Sequence, residues 1–128
     1  MKVAPSPAAE ELRRRIDATE ALVGVVGLGY VGLPLSLAFA ERGHRVLGFD
    51  VDPTKVEALS RGETYIGHLD GGRVRKAVRE GGLAATGDFD RLSEPDATLI
   101  CVPTPLTAHR EPEMRYIEQT VKEVGARL

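Results

Sequence analysis

The sequence offers a single cysteine, Cys101, in 128 residues. One thiol cannot close an internal disulfide, and no paired Cys/His spacing accompanies it to build a structural zinc site. A reducing, cytoplasmic setting without a metal is the expectation. An excess of either charge is missing too: 17 Lys and Arg stand against 19 Asp and Glu, a formal net charge of -2. That balance provides no basic field to recruit nucleic acid or an anionic membrane surface. The longest apolar run, at residues 21–40, is broken by glycines and a proline into a strand-like half and a helix-like half, which excludes a membrane span. Lys2 is followed by Pro- and Glu-containing residues rather than by an apolar stretch with a small-residue cleavage site, so no secretory signal is expected.

What is present reads as one α/β domain or part of one. Hydrophobic residues make up 42% of the chain, and a domain of this size buries roughly two-thirds of its unfolded surface. Ser6 before Pro7 has the form of a helix cap followed by proline at the first helical position, which starts a charged, exposed leader helix over residues 7–20. The "RRR" run at 13–15 reads as its solvated face. The valine-rich run from Leu22 to Gly27 is the pattern of a strand buried on both faces. From Tyr30 to Glu41 the apolar residues Val31, Leu35, Ala38 and Phe39 share one helical face, and Gly43 ends the helix. Arg45 to Phe49 is a second strand, and Asp52 with Pro53 caps a helix running to about Arg61.

Residues 63–70, "ETYIGHLD", carry no period and form a loop. A helix over Arg73–Glu80, a short strand over Leu83–Thr86 and a stronger strand over Thr98–Val102 follow. Met114, Ile117, Val121, Val124 and Leu128 then mark an amphipathic helix starting near Pro112. This alternation predicts a Rossmann-type, doubly wound α/β fold with a parallel sheet in the order 3-2-1-4, behind an N-terminal leader helix. The division expected is residues 1–20 for the leader and 21–128 for the sheet domain. With no strand after the last helix, the fourth strand would be a long apolar edge, and the fold is expected to be truncated relative to a complete sheet.

Gly27, Gly29 and Gly32 form G-x-G-x-x-G, a weak pattern by itself. Here it follows a buried strand and opens a helix, the context that a dinucleotide-binding turn requires. The first glycine permits the tight turn, the second lets a pyrophosphate approach the backbone, and the third lets helix and strand pack closely. Asp50 ends the second strand about 20 residues further on, where a carboxylate accepts the ribose hydroxyls of adenosine and repels a 2′-phosphate. NAD is thus the expected cofactor, in preference to NADP. Taken alone, the same residues would describe a glycine-rich turn and a capping aspartate.

The stretches "VGVVGLGYVGLPLSLAFAERGHRVLGFDVDPTKVEAL", "YIGHL" and "LICVPTPLTAHREPEMRYI" closely resemble the N-terminal domain of the UDP-glucose/GDP-mannose dehydrogenase family. They are most similar to its bacterial UDP-N-acetylhexosamine 6-dehydrogenases, acting on the glucosamine or mannosamine derivative. The likeness runs from the leader helix to the last residue. It implies an enzyme that oxidises C6 of a UDP-sugar to a carboxylate in two NAD-dependent steps and is a homo-oligomer when full length. By position, the resemblance implies that Tyr30 and Val31 flank the pyrophosphate, that Asp50 and Lys55 hold the adenosine ribose, and that Thr104 belongs to the cofactor pocket; Gly27, Leu28, Gly29, Gly32, Val102 and Pro103 are expected to bind the cofactor with them.

Tyr65, His68 and Arg110, with His109 beside the last, would face the substrate, although exposed loop histidines are the plainer reading of His68 and His109. The cysteine, lysine and carboxylate that carry the chemistry in this family come from later segments. Cys101 is expected to be buried and inert, so no catalytic residue is assigned and the chain should bind NAD without turnover. Two other readings stay open from the residues alone: another NAD-linked dehydrogenase, such as a hydroxyacid type, and a free-standing NAD-binding module used in sensing or assembly.

Overall fold

The computed structural model describes residues 6–102 and 114–127. Helix α1 (Pro7–Asp17) leads into strand β1 (Leu22–Val26), helix α2 (Gly32–Glu41), strand β2 (Arg45–Phe49) and helix α3 (Pro53–Ser60). Helix α4 (Gly71–Arg79), strand β3 (Leu83–Thr86), a short 3₁₀ helix (Phe89–Ser93), strand β4 (Ala97–Ile100) and helix α5 (Arg115–Gly125) follow. The four strands form one sheet in the order β3-β2-β1-β4, as expected. Every pairing is parallel, with Val26 opposite Phe49 on one side and opposite Ile100 on the other. Among the described residues, no helix is long and apolar enough to cross a membrane.

The central strands β1 and β2 are covered on both faces, which is why they read as continuous apolar runs, whereas the edge strands β3 and β4 are only partly buried. Val23 and Val25 point to the side of α2, α3 and α4, where they join Leu33, Leu37, Leu59 and Val74 in the larger core. Val26, Leu47 and Phe49 point to the other side, against Leu92 of the 3₁₀ helix and Val124 of α5. The 3₁₀ helix has no counterpart in the sequence reading; Asp88 caps it by accepting from the Asp90 N–H at 3.0 Å.

Three helices begin on capping side chains. Ser6 accepts from Ala9 N–H at 3.1 Å, Asp52 from Thr54 N–H at 2.9 Å, and Asp70 from Gly72 N–H at 2.8 Å. Each cap satisfies one of the donors that a helix start leaves unpaired. Helix α2 has no such cap.

Helix α2 also corrects the sequence reading. It starts at Gly32, not Tyr30, and buries Leu33, Ser36 and Leu37, while Val31 is 66% exposed. Its residues are apolar on nearly all sides, so periodicity alone picks no face. The close approach of Gly32 to β1 decides which side turns inward. At the leader helix, Arg15 is not part of a purely solvated face. Its guanidinium pairs with Asp96 at the start of β4, and Asp96 also accepts from Leu22 N–H at 2.8 Å. Helix α1 is thereby tied to β1 and to its edge-strand neighbour β4, although it buries none of its own residues.

Candidate functional site

The C-terminal ends of β1, β2 and β4 lie side by side, and β1 is where the chain switches from one side of the sheet to the other. Open parallel sheets place ligands at this point. The turn leaving β1 begins by bonding Gly27 N–H to Phe49 carbonyl at 2.8 Å, then adopts φ +95° at Gly27, a left-handed conformation that favours glycine. A Cβ on Gly32 would sit 1.6 Å from the Gly27 carbonyl oxygen, so the helix start lies directly against the turn and only glycine fits.

Gly29 is the opposite case. A Cβ there would meet nothing within 4 Å: the backbone faces open space. Its carbonyl accepts the first helical bond, from Leu33 N–H at 3.1 Å. Among the described residues, no hydrogen-bond acceptor meets the N–H groups of Gly29, Tyr30 or Val31. An uncapped helix start, unpaired donors and an open glycine together fit the pyrophosphate of a dinucleotide.

A groove of about 270 Å³ opens beside this turn, lined by Gly29, Tyr30, Asp52, Lys55, Tyr65 and Ile66 together with Thr54. Its walls come from the glycine turn, the start of α3 and the loop between α3 and α4. Asp50 lies behind it, only 8% exposed, with one carboxylate oxygen accepting from Leu28 N–H and the other from Asp52 N–H, both at 2.9 Å. Each oxygen keeps a second lone pair that a ribose hydroxyl can use. Asp52 is held below the usual carboxylate range by the hydroxyl and N–H of Thr54, which keeps the rim of the groove anionic.

The tyrosine of the 63–70 loop reaches into the same place. Its hydroxyl donates to the Leu28 carbonyl, and Lys55 Nζ lies 5.7 Å from its ring centroid. Burial, reinforced by the charges of Asp50 and Asp52, pushes the Tyr65 hydroxyl well above the ordinary tyrosine range. Tyr30, 78% exposed, stacks on His68 with ring planes 5° apart and centroids 6.2 Å apart. The structure therefore gathers the glycine turn, Lys55 and Tyr65 around one groove, with Asp50 behind it and His68 connected to it through Tyr30.

Leu28, one of the expected cofactor residues, has both polar backbone groups engaged within the protein. Its side chain is fully buried, its N–H serves Asp50 and its carbonyl serves Tyr65, so it supports the turn from beneath. Val102 packs toward the Phe49 side of the sheet, whereas Pro103, Thr104, His109 and Arg110 lie outside the described residues. Cys101 follows the end of β4 rather than lying within it, and bonds its N–H to the Val26 carbonyl at 2.7 Å. Burial pushes its thiol up, the reverse of what a nucleophile needs. Sequence reasoning missed Asp52 as a groove residue because its capping role accounted for it, and Thr54 because an exposed threonine in a first helical turn carries no signal of its own.

A parallel sheet with an open glycine turn and an acidic residue at the end of the neighbouring strand defines a dinucleotide-binding domain. The family model for the UDP-glucose/GDP-mannose dehydrogenase family, NAD binding domain, matches residues 21–128, and the chain belongs to this family. It is 39% identical over 105 residues to UDP-N-acetyl-D-mannosamine dehydrogenase of Escherichia coli K12, covering 82% of this chain and 24% of that enzyme. Among solved structures, NDP-N-acetyl-D-galactosaminuronic acid dehydrogenase from Methanosarcina mazei superposes with a TM-score of 0.83 at 30% identity, over 98% of this chain and 28% of the other. GDP-mannose dehydrogenase from Pseudomonas aeruginosa gives 0.79 at 31% identity, over 82% of this chain and 24% of that one. The chain thus spans about a quarter of the length of these relatives.

Proposed function

We propose that this chain holds NAD for a nucleotide-sugar 6-dehydrogenase that oxidises the C6 hydroxyl of a UDP-N-acetylhexosamine to a carboxylate. The observation that carries the reading is the uncapped start of α2 set against open Gly29, with Asp50 bonded behind the turn. In this reading the free N–H groups of Gly29, Tyr30 and Val31 bind the pyrophosphate, and the remaining lone pairs of Asp50 take the adenosine ribose. Lys55 closes the groove from the α3 side, and Val102, Pro103 and Thr104, which follow β4 in the chain, complete the set of residues offered to the cofactor. NAD, when bound, supplies the acceptor for the hydride that leaves C6. An N-acetylated hexosamine is favoured by two of the relatives, named for the mannosamine derivative and for galactosaminuronic acid.

Tyr65 belongs with the cofactor in this proposal rather than with the sugar, whereas His68 and Arg110 remain the residues offered to the substrate. The oxidation itself draws on groups other than Cys101, which is partly rather than fully buried and whose thiol pKa is pushed up by that burial. Titration calorimetry of this chain with NAD and with NADP is the direct test. Saturable heat is expected with NAD and binding at least about tenfold weaker with NADP, since the carboxylates of Asp50 and Asp52 would face an added phosphate. Absence of NAD binding, or a preference for NADP, rejects the assignment.

A further inference from the structure

We propose that Tyr65 is a positioning residue for the cofactor: its hydroxyl holds the Leu28 carbonyl and thereby aims the Gly29 N–H at the pyrophosphate of a bound dinucleotide. This rests on the reading of the groove as a dinucleotide site. The geometry supplies the argument. A peptide unit is planar and trans, so its carbonyl and its N–H point in opposite directions. Fixing the Leu28 carbonyl toward Tyr65 fixes the Gly29 N–H away from it. The unit before is fixed as well, by Asp50 on the Leu28 N–H and by Gly32 packed against the Gly27 carbonyl.

The second of these two units needs an outside anchor more than most. Reversing the Leu28–Gly29 peptide changes ψ at Leu28 and φ at Gly29, and glycine accepts either sign of φ with little penalty. Nothing crowds Gly29 to oppose the reversal, because a Cβ there would touch no atom. The Tyr65 hydroxyl is the side chain that bonds this carbonyl among the described residues.

The loop is built to present it. Ile66, 4% exposed, anchors the segment in the larger core, and Thr64 Oγ1 accepts from Ile66 N–H at 3.1 Å. These contacts set the backbone on both sides of Tyr65. The Lys55 ammonium over the ring limits its swing on the groove side. A tyrosine hydroxyl is protonated throughout the neutral range, and burial with the nearby carboxylates extends its life as a donor into alkaline pH.

The variant Tyr65→Phe keeps the ring and removes only the donor. Binding of NAD, ADP and adenosine to this chain and to Y65F is measured by calorimetry or NMR titration, with the melting temperature of each. Y65F is expected to weaken NAD and ADP about five- to tenfold, as the loss of one aligned hydrogen bond implies, to leave adenosine unchanged, and to melt within about 3 °C of the parent. A merely structural role would weaken all three ligands together. Equal NAD affinity in the two proteins, or equal losses for adenosine and ADP, overturns the role of Tyr65 while leaving the site reading intact. Failure of the parent chain to bind NAD removes the site reading itself. The parent also provides a check that requires no variant: saturating NAD should shift the Gly29 amide proton resonance, and a stationary resonance in the NAD-bound protein overturns the proposal.

Discussion

The carboxylate of Asp50 accepts the Leu28 N–H at 2.9 Å, so the end of β2 is bonded to the turn that leaves β1. Its other oxygen accepts from Asp52 N–H at the start of α3, also at 2.9 Å. One buried side chain therefore couples two strands, a helix start and the glycine turn. Asp50→Asn would point an amide N–H₂ at one of those two donors, leaving a buried N–H without a partner. The expected cost is about 2–4 kcal/mol of unfolding free energy in urea, because bonds to charged acceptors are the stronger kind. NAD affinity should fall by at least about tenfold. An Asn variant of parental stability would show that the two bonds contribute little.

Gly29 and Gly32 separate binding from folding. At Gly32 a methyl group would lie 1.6 Å from the Gly27 carbonyl oxygen, a clash with backbone that cannot swing aside as a side chain could. Gly32→Ala should therefore cost more than about 3 kcal/mol or prevent folding. At Gly29 the same methyl meets no atom, so Gly29→Ala should melt close to the parent and yet bind NAD at least about tenfold more weakly, since the methyl fills space meant for phosphate. Paired melting and calorimetry on the two variants checks both halves. Undiminished NAD binding by G29A would move the pyrophosphate elsewhere.

The sheet order and the glycine turn were legible in the sequence because each depends on short-range signals: valine runs buried on two faces, and glycines placed between a strand and a helix. The face of α2 was not. Val31, Leu35 and Ala38 are as apolar as Leu33 and Leu37, and only the close packing of Gly32 on the turn selects between them. Tyr65 was noticeable as an aromatic residue in a polar loop, but its bond to a residue 37 positions away leaves no trace in local pattern. Likewise Arg15 looks like one of three equivalent arginines until Asp96 is brought to it across the sheet. Long-range polar partners are created by the fold, so a linear reading finds the residues and not the pairs.

Arg15 and Asp96 make an unequal pair. Arg15 gives the carboxylate one half-buried ion pair that keeps an open side to solvent, and such a pair contributes about 1 kcal/mol or less. Asp96 accepts in addition from Leu22 N–H at 2.8 Å, at the start of β1. Asp96→Ala should accordingly destabilise by about 1–3 kcal/mol, and Arg15→Ala by less than about 1 kcal/mol, read from urea midpoints. If the two variants unfold at the same denaturant concentration, the bond to the strand is not what Asp96 contributes.

The Tyr65 hydroxyl predicts a loss of stability confined to alkaline conditions. Its pKa in the folded chain is raised by burial, and by the charges of Asp50 and Asp52, above the ordinary tyrosine value of about 10 that the unfolded chain retains. Between these two values the folded state binds more protons than the unfolded state, so stability falls as pH rises. The contribution is complete below about pH 10 and is lost progressively above it. Y65F has no such proton to lose, so its stability should decline less steeply over the same interval. Urea unfolding of both proteins from about pH 8 to pH 12 reads the difference directly, with absorbance near 295 nm following tyrosine ionisation. The expected outcome is a parent advantage that is constant up to about pH 10 and shrinks beyond it. A gap that stays constant through the alkaline range would mean that Tyr65 ionises as easily folded as unfolded, and that its hydroxyl is not held against the Leu28 carbonyl.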